Sequence, residues 1–499
     1  MPENVIIHED GKPISALTGR KLRDYLSMEF PCGGHGKCGK CKVRAEGGLL
    51  PAGAEERMLL SAQELEAGIR LACLAEICGE CTVETTPVHG MQESRIVSGG
   101  TMPDIRLQPA FHAYGAAVDI GTTTLAARLY DMQGRMLSEE TRINPQTAWG
   151  ADVISRIEAA LKGQAKELRC AIASANDAMI LSMAKKAHIH AEEIDGLVIT
   201  GNSAMLFLLT GTDTACLARA PFRLERRFGG TCSAKDAGIT CVSPEAEVYF
   251  PPCVSAFVGA DIACAALAVQ LCTGTETKLL VDIGTNGEIC LWHRGKLYVA
   301  STAAGPAFEG VGISAGMRAE AGAIDRVYAE DGRLQVHVIS DAPARGICGS
   351  GLVDAVAALL ELDLLDETGA LDGDSVEIGG GISLTQKDIR MMQLAKGAIS
   401  AGIRTLLETA QASDVSALEI AGGFGKYIHT DHAVRIGLLP REAAKRVNAA
   451  GNAALSGASM LLLSREMRAA CESMVRQASV VELSSNPVFA RHYMSDMLL

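Results

Sequence analysis

The spacing of apolar residues predicts a small mixed fold in the first 88 residues. Val5-Ile6-Ile7 followed by Gly11-Lys12 is typical of a strand and a turn. Cys41-Lys-Val-Arg-Ala alternates as a short strand does, and Ser61-Ala-Gln-Glu64 has the form of a capping box that opens a helix. Leucines recur at helical spacing between these segments: Leu17, Leu22 and Leu26. The pattern therefore predicts strands with short helices up to about residue 88.

The same analysis predicts a duplicated second half. The pattern is aperiodic after Pro87, which predicts a linker over 89–113. A strand, a Gly/Thr turn and a second strand then follow over 116–131, and Val-Asp-Ile-Gly-Thr returns in register around Asp282. A strand ending in Gly201 has its counterpart in one ending at Gly422. An internal repeat of this size indicates two similar lobes, about 114–275 and 276–499. A long helix from Asp388 carries an apolar stripe typical of a core.

Composition and charge narrow the class of protein. The chain has 499 residues, of which 48% are apolar and 21% charged, which is an ordinary globular balance. Its net charge of −13 and the lack of a Lys/Arg-rich run argue against nucleic acid as a partner. The N-terminus lacks the basic patch and apolar run that are typical of a signal peptide, and no stretch of 18 uninterrupted apolar residues occurs, so we expect no membrane span. We expect a cytoplasmic protein without a membrane anchor.

Six of the 16 cysteines lie between Cys32 and Cys81, and this cluster calls for an explanation of its own. The remaining ten are scattered, often in apolar runs, and are expected to be buried small residues. Within the cluster, four cysteines have the spacing C-x5-C-x2-C-x31-C: Cys32, Cys38, Cys41 and Cys73. Three thiolates on one glycine-rich loop and a distant fourth are how a [2Fe–2S] cluster is held. The glycines of the loop should adopt positive φ angles: Gly33, Gly34, Gly36 and Gly39.

Two other interpretations of the cysteines remain open at this point. Cys38 with Cys41 and Cys78 with Cys81 form two C-x2-C pairs, as zinc sites do, although their separation exceeds the usual spacing. Zinc bound to these pairs would leave Cys32 and Cys73 without a role. Alternatively, Cys78 and Cys81 form a redox-active dithiol, or they are spare thiols or alternative cluster ligands.

The two repeated turns suggest phosphate chemistry. A tight Gly-Thr turn between antiparallel strands presents backbone N–H groups and hydroxyls that can hold phosphate oxygens. An aspartate just before each turn, Asp119 and Asp282, can hold hydrated Mg²⁺ or orient a water molecule. Two such turns facing each other would hold a nucleotide triphosphate from both sides. A further Gly-Ser-Gly turn around Ser350 is either an anion site or a helix N-cap.

These motifs carry resemblances to known families. The tract from about residue 3 to 86 resembles a β-grasp ferredoxin of the adrenodoxin type. Asp119-Ile-Gly-Thr-Thr-Thr and Asp282-Ile-Gly-Thr-Asn-Gly are similar to the two phosphate motifs of the acetate and sugar kinase/Hsp70/actin superfamily, and Ala421-Gly-Gly-Phe-Gly to its adenosine motif. Gly201-Asn202 and Gly451-Asn452 are similar to its connecting motifs. The implied fold is an α+β β-grasp ferredoxin domain over 1–88, then an α/β two-lobed, RNase H-like duplicated ATPase domain over 114–499.

The superfamily resemblance also implies roles for individual residues. Asp119 and Asp282 would be catalytic, serving Mg²⁺ and the attacking water. ATP would lie between the two lobes, which hinge. The residues implied to bind it are Thr122, Thr123, Thr124, Asn202, Gly284, Thr285, Asn286, Gly422, Gly423 and Phe424.

Together the two halves resemble the reductive activators of corrinoid proteins. This resemblance implies an ATP-hydrolysing iron–sulfur enzyme that reduces a corrinoid cobalt from Co(II) to Co(I). Its cofactors would be a [2Fe–2S] cluster, ATP and Mg²⁺, and its partners a corrinoid protein of a methyltransferase system and an external low-potential reductant. A homodimer is compatible with it. Alternatives are an ATP-driven electron donor to another metalloenzyme, a redox or metal-delivery module whose fold responds to ATP, and a kinase acting on a small metabolite.

Overall fold

The computed structural model describes residues 3–26, 28, 30, 34, 36, 39–85, 100, 102–425, 427–441 and 446–499. Two compact units divide the chain between them. The first comprises Met1–Gln92 and Asn144–Ile172, and the second comprises Glu93–Ile143 and Ala173–Leu499. In the described part of the chain, no helix has both the length and the apolar character needed to cross a membrane.

A five-stranded mixed sheet forms the centre of the first unit, with strand order β2-β1-β5-β3-β4. Its central strands β1 and β5 are parallel, and the other neighbours are antiparallel. Asp10 and Gly11 both have positive φ, so they form the two-residue turn that the twist of a hairpin favours. The strands are β1 (Asn4–Glu9), β2 (Lys12–Leu17), β3 (Lys42–Leu49), β4 (Ile69–Leu71) and β5 (Ile77–Glu84). The helices are α1 (Ala54–Leu59), α2 (Ala62–Glu66), α3 (Val153–Ala159) and α4 (Ala165–Lys186), the last of which continues into the second unit.

Two local expectations for this unit have different outcomes. The capping box at Ser61 is confirmed, because the backbone N–H of Glu64 donates to the Ser61 hydroxyl and the Glu64 carboxylate accepts from the Ser61 N–H. The helix expected from the leucine spacing is wrong. Leu17 ends β2, Gly19 turns the chain with a φ of +80°, and only a short 3₁₀ turn forms over Leu22–Asp24.

Two six-stranded sheets that share a five-stranded topology form the centre of the second unit. The first has the order β10-β11-β9-β6-β7-β8 and the second has the order β21-β20-β12-β13-β14-β22. In each, a meander of three antiparallel strands is followed by two parallel strands on the other side of the first strand. The sixth strands differ, because β10 pairs antiparallel with β11 whereas β22 pairs parallel with the last strand of its meander. The strands of the first sheet are β6 (Tyr114–Ile120), β7 (Thr124–Asp131), β8 (Met136–Ile143), β9 (Ile194–Gly201), β10 (Gly230–Ser233) and β11 (Glu247–Phe250). The repeat predicted from the sequence is therefore confirmed as a repeat of topology.

In the sequence of the second lobe, the strands of two small sheets follow the three-stranded meander and precede the later strands of the large sheet. The strands from residue 278 onward are β12 (Lys278–Ile283), β13 (Gly287–His293), β14 (Lys296–Thr302), β15 (Ala323–Glu330), β16 (Arg333–Val338), β17 (Gly346–Ile347), β18 (Ser375–Gly379), β19 (Ile382–Thr385), β20 (Ala417–Ala421), β21 (Val447–Gly451) and β22 (Ser479–Val480). Strands β15 to β17 form one small sheet, and β18 pairs with β19 in the other.

Helices cover both large sheets of the second unit. They are α5 (Ser203–Thr210), α6 (Ala215–Ala218), α7 (Ala234–Ala237), α8 (Ala260–Ala268), α9 (Gly349–Glu361), α10 (Gln386–Ala410), α11 (Gly422–Gly425), α12 (Thr430–Arg435), α13 (Ala453–Leu463), α14 (Arg465–Gln477) and α15 (Pro487–Ser495). Helices α8 and α13 pack against each other at Gly457, where a β-carbon would lie 2.0 Å from the carbonyl oxygen of Cys264. Only glycine permits so close an approach of two helices.

The long helix predicted near Asp388 is confirmed, with its start two residues earlier. Thr385 is the N-cap of α10, and Asp388 completes a capping box by accepting from the Thr385 N–H at 2.9 Å. The predicted apolar stripe is buried in the core of the second lobe: Ile389, Met392, Ile399, Ile403 and Leu406.

Candidate functional site

A cavity of about 260 Å³ opens where the hairpin ends of the two large sheets meet. Strands β6 and β12 each end beside the tight turns that the sequence singled out, and each bears an aspartate near that end. The cavity thus brings Asp119 and Asp282 together. It is lined by Asp119, Gly121, Thr124, Ile143, Asp261, Asp282, Arg318, Ala319, Gly422, Gly423, Asn452, Ala453 and Ala454.

Asp119 is positioned by an asparagine from the other lobe. The Asn452 amide nitrogen Nδ2 donates to Asp119 Oδ2 at 3.0 Å. The carbonyl oxygen of the same side chain accepts from the Leu455 N–H at 2.8 Å and so caps α13. Because one side chain makes both contacts, the orientation of Asp119 depends on the start of α13.

Asp282 lies against a glycine that the fold requires. Strand β20 pairs in parallel with β12 so that Ala421 is opposite Asp282. The next residue, Gly422, has a φ of +84°, and a β-carbon on it would lie 2.7 Å from Asp282 Oδ1. A side chain here would collide with the carboxylate, which explains why a glycine follows the strand. Gly423 has nothing within 4 Å of its β-position and faces open space.

A third aspartate, Asp261, lines the same cavity, and the sequence reasoning missed it. It occupies the first turn of α8, whose N-cap is Gly259. Asp261 is the only charged residue between Val254 and Gln270. A lone acid in an apolar stretch that becomes a buried helix was the signal that could have found it, because such an acid needs a partner.

Burial dominates the electrostatics of the three aspartates. It raises the pKa of Asp119 to about 7, against the lowering effect of the Asn452 hydrogen bond and with a further rise from the Asp282 charge. Burial raises the pKa of Asp282 to about 6. Burial and then the charges of the other two raise the pKa of Asp261 to about 8. Three half-buried carboxylates that line one cavity and repel one another favour a divalent cation, which would offset their charge.

Two glutamates extend this acidic site. Glu288 is opposite Asp282 across the β12–β13 hairpin, and burial together with the charges of Asp261 and Asp282 raises its pKa well above the usual range. Glu309 accepts a hydrogen bond from the Thr285 hydroxyl at 2.8 Å and a longer one from the Thr123 hydroxyl at 3.5 Å. Glu309 therefore connects the two Gly-Thr turns, and burial raises its pKa.

The remaining predicted nucleotide residues belong to the two turns, line the cavity or support residues of the turns. Thr122 accepts from Asn202 Nδ2 at 3.0 Å, and Asn202 also caps α5. The turns are closed by the Gly121 N–H donating to the Thr124 carbonyl and the Gly284 N–H donating to the Asn286 carbonyl. Thr124, Gly422 and Gly423 line the cavity itself. The ring of Phe424 lies 4.9 Å from that of Phe308, centroid to centroid.

Arg318 brings the opposite charge to the site. Among the described residues that line the cavity it is the only basic one. Its charge opposes the rise in the pKa of Glu309. A guanidinium in an acidic cavity is suited to hold the oxygens of a phosphate group, which arrives with its own negative charge.

In the first unit, two of the four predicted cluster ligands are adjacent. The Sγ atoms of Cys41 and Cys73 lie 3.1 Å apart without forming a disulfide, and both side chains are buried. Cys32 and Cys38 lie outside the described residues. Gly34, Gly36 and Gly39 have positive φ angles, as expected. Gly33 lies outside the described residues.

The other cysteine pair does not support a shared metal or a dithiol. Cys78 and Cys81 are both on β5, three residues apart, so they point to opposite faces of the sheet. Cys78 is exposed, whereas Cys81 is buried and burial raises its pKa. A raised pKa makes a thiol less reactive. The dithiol and paired-zinc interpretations are therefore disfavoured.

The Gly-Ser-Gly turn opens a helix, as expected, but Ser350 is not its N-cap residue. Cys348, not Ser350, occupies the N-cap position of α9. The buried Ser350 hydroxyl donates to the Asp325 carbonyl at 3.1 Å and lies 3.3 Å from Cys348 Sγ. Ser350 therefore tethers α9 to β15, and its hydroxyl is engaged within the protein.

Two lobes of repeated topology with an acidic cavity between their hairpins define the acetate and sugar kinase/actin-like class of fold. Two family models match the chain over most of this region. One, described as the RACo middle region, matches residues 114–273, and the other, described as the C-terminal ASKHA domain of RACo, matches residues 276–499. The chain belongs to the RACo family.

Individual relatives agree with this assignment. A corrinoid activation enzyme of Eubacterium limosum is 36% identical over 418 residues, which cover 77% of this chain and 70% of that protein. A methylated-amine-specific corrinoid protein Co(II) reductase of Methanosarcina barkeri is 27% identical over 70% of each chain. The solved structure of a reductive activator for a corrinoid iron–sulfur protein has a TM-score of 0.71 and 27% identity, covering 99% of this chain and 98% of that one.

Proposed function

We propose that this protein reduces the cobalt of a corrinoid protein from Co(II) to Co(I), with an electron passed through an N-terminal [2Fe–2S] cluster and with the participation of ATP and Mg²⁺. The electron would come from an external low-potential reductant, and the corrinoid protein would belong to a methyltransferase system. Membership of the RACo family, whose relatives carry corrinoid-activating names, supports the reaction. The observation that carries the ATP part is the meeting of Asp119, Asp261 and Asp282 in one cavity.

The donor set of the first unit fits an iron–sulfur cluster. Cys41 and Cys73 offer two buried sulfurs 3.1 Å apart, close enough to bind a single metal centre. Gly36 lies so near Leu74, the neighbour of Cys73, that a β-carbon would be 2.7 Å from Leu74 Cδ2. Gly36 therefore lies close to the residue that follows Cys73. Cys32 and Cys38 on the glycine-rich loop are proposed as the other two ligands. A cluster bound there would supply a one-electron carrier.

The cavity of the second unit fits magnesium and phosphate. Asp119, Asp282 and the newly found Asp261 are proposed to hold the hydrated metal and orient water. The Thr122, Thr123 and Thr285 hydroxyls and the turn N–H groups would bind phosphate oxygens. The same turns contain Thr124, Gly284 and Asn286, which are proposed to contribute to nucleotide binding. Asn202, which donates a hydrogen bond to Thr122, is proposed to contribute as well. Gly422, Gly423 and Phe424 are proposed to border the adenosine.

ATP has a physical role in this scheme. Reduction of Co(II) to Co(I) by an ordinary [2Fe–2S] centre is uphill, so it requires coupling to a favourable process. Nucleotide can shift such an equilibrium only by binding two states with different affinity. Two lobes with an acidic cavity between them can supply these states, since the Mg²⁺ that accompanies ATP would offset the charge of carboxylates that otherwise repel one another. The domain division into 1–88, a linker 89–113 and 114–499 is part of this proposal.

Paired variants test the two halves separately. Cys41→Ser should abolish iron binding and corrinoid reduction while ATP hydrolysis persists, and Cys81→Ser, which changes a cysteine as deeply buried, should affect neither. Asp282→Asn should abolish hydrolysis and corrinoid reduction while the iron content persists. Asp131→Asn is its control, because Asp131 is a buried acid at the far end of the same hairpin as Asp119. Corrinoid reduction by the Cys41→Ser variant at the normal rate would contradict the proposal.

A further inference from the structure

A histidine–aspartate cluster lies apart from the acidic cavity and has no part in the proposed function. Asp354 of α9 is buried, with 1% of its side chain exposed. His429 precedes α12 as its N-cap residue, and His432 lies three residues later on the same face of that helix. Both imidazoles therefore project toward the same carboxylate.

The three side chains meet through donor atoms that can bind a metal. His429 Nδ1 lies 2.8 Å from Asp354 Oδ2, and His432 Nδ1 lies 2.6 Å from Asp354 Oδ1. One donor atom from each of the three residues lies within 4.8 Å of the others. The two rings are 5.5 Å apart and nearly perpendicular, with an interplanar angle of 84°. Each carboxylate oxygen thus faces one imidazole nitrogen of the same type.

We propose that Asp354, His429 and His432 form a binding site for a zinc ion. Two imidazole nitrogens and one carboxylate are a ligand set that zinc accepts, with water in the remaining position. Tetrahedral zinc with bonds of about 2.0–2.1 Å separates its ligand atoms by about 3.3 Å, so these N–O distances would open by roughly half an ångström. The ion takes the place of the two Nδ1 protons that the histidines otherwise donate to Asp354.

The surroundings of the cluster suit a cation that enters from solvent. The His429 and His432 side chains are 39% and 26% exposed, which leaves a path for the ion and room for a water ligand. Glu361 lies close enough for its negative charge to act on His432. The nearby Arg435 is paired with Glu361 at 3.4 Å. Zinc bound here would link α9 to α12, the helix that follows the glycines of the nucleotide cavity.

Zinc content measured on the full chain tests this site. Protein purified anaerobically with its iron intact is given one equivalent of zinc, passed through a desalting column and analysed for zinc and iron by mass spectrometry. We expect about one zinc per chain in the wild type, and zinc binding about 100-fold weaker in His429→Asn and in His432→Asn. Both side chains are partly exposed, so unchanged iron content and circular dichroism should show that these variants fold.

Two controls make the result specific. His337→Asn removes a histidine whose Nδ1 lies 2.5 Å from Asp325 Oδ1, a pair that no second imidazole joins into a three-ligand group among the described residues, and it should retain zinc. Cys41→Ser reports zinc held by the cysteines of the first unit. The proposal is overturned if the wild type retains no zinc, or if the two histidine variants retain as much as the wild type while Cys41→Ser loses it. Because zinc is the readout, failure of corrinoid reduction would not affect this test.

Discussion

Replacement of Asp261 by asparagine should stabilise the protein while it impairs ATP hydrolysis. Burial and the charges of Asp119 and Asp282 raise the pKa of Asp261 to about 8, from 3.8 for a free carboxyl. At pH 7 the unfolded chain would release this proton and the folded chain would largely keep it. The interval between the unfolded pKa of 3.8 and pH 7 is about three pH units. At roughly 1.4 kcal/mol per unit, keeping the proton lowers the unfolding free energy by about 4 kcal/mol. Asp261→Asn removes that penalty.

The sign of the effect follows from the raised pKa. A carboxyl whose folded pKa lies above its unfolded pKa destabilises the fold increasingly as pH rises between the two values. The gain from Asp261→Asn should therefore be small at about pH 4, about 1–2 kcal/mol at pH 5 and as much as about 4 kcal/mol at pH 7. Magnesium should shrink the gain, because a bound cation favours the ionised carboxylate of the wild type.

Urea unfolding followed by tryptophan fluorescence measures this gain. The chain has two tryptophans, and Trp292 lies in the same compact unit as Asp261 whereas Trp149 does not. In a Trp149→Phe background, Trp292 alone reports on the second unit. Asp131→Asn is the control of opposite sign, because the hydrogen bonds and charge of Arg135 hold the pKa of Asp131 below its usual range. An unfolding free energy of Asp261→Asn equal to or below that of the wild type at pH 7, with magnesium chelated, would refute the electrostatic reasoning.

Three further substitutions probe the same architecture. Asn452→Ala removes both the cap of α13 and the hydrogen bond to Asp119, so we expect a loss of about 1 kcal/mol in unfolding free energy and slower ATP hydrolysis. The control is Asn448→Ala, which removes only an exposed hydrogen bond to Glu419 and should change neither quantity. Gly423→Val should cause no loss of stability, because nothing lies near the β-position of Gly423. It should weaken ATP binding, measured by calorimetry, at least about tenfold. An unchanged affinity would contradict the proposal that Gly423 lies beside the adenosine. Gly457→Val forces α8 and α13 apart and should cost about 3 kcal/mol in urea unfolding, and a cost below about 1 kcal/mol would show that the helices can separate freely.

Local signals in the sequence were enough for much of the fold. The repeated hairpins, the capping box at Ser61 and the buried stripe of α10 each depend on residues close together in the chain, and each was predicted correctly. The leucine spacing failed because Gly19 ends the segment before a helix can form. Membership of the corrinoid-activating family was also recognised from the motifs and is confirmed by the family match.

The parts of the site that depend on distant contacts could not be predicted in this way. The lone acid at Asp261 indicates that it needs a partner, but no pattern around it specifies the packing of α8 against α13 or the cavity that Asp261 lines. Glu309 joins two turns that lie far apart in the chain, and His429 reaches a carboxylate on another helix. Such meetings are decided by tertiary packing, which short motifs do not encode.

The central claim is tested most directly by the absorbance of a corrinoid protein during reduction with a reductant too weak to act alone. Wild-type protein with its iron centre reduced should convert Co(II) to Co(I) when Mg-ATP is present and should leave Co(II) essentially unchanged when ATP is withheld. Conversion at the same rate and to the same extent without ATP would contradict the account, because the two-lobed unit would then have no part in driving the electron.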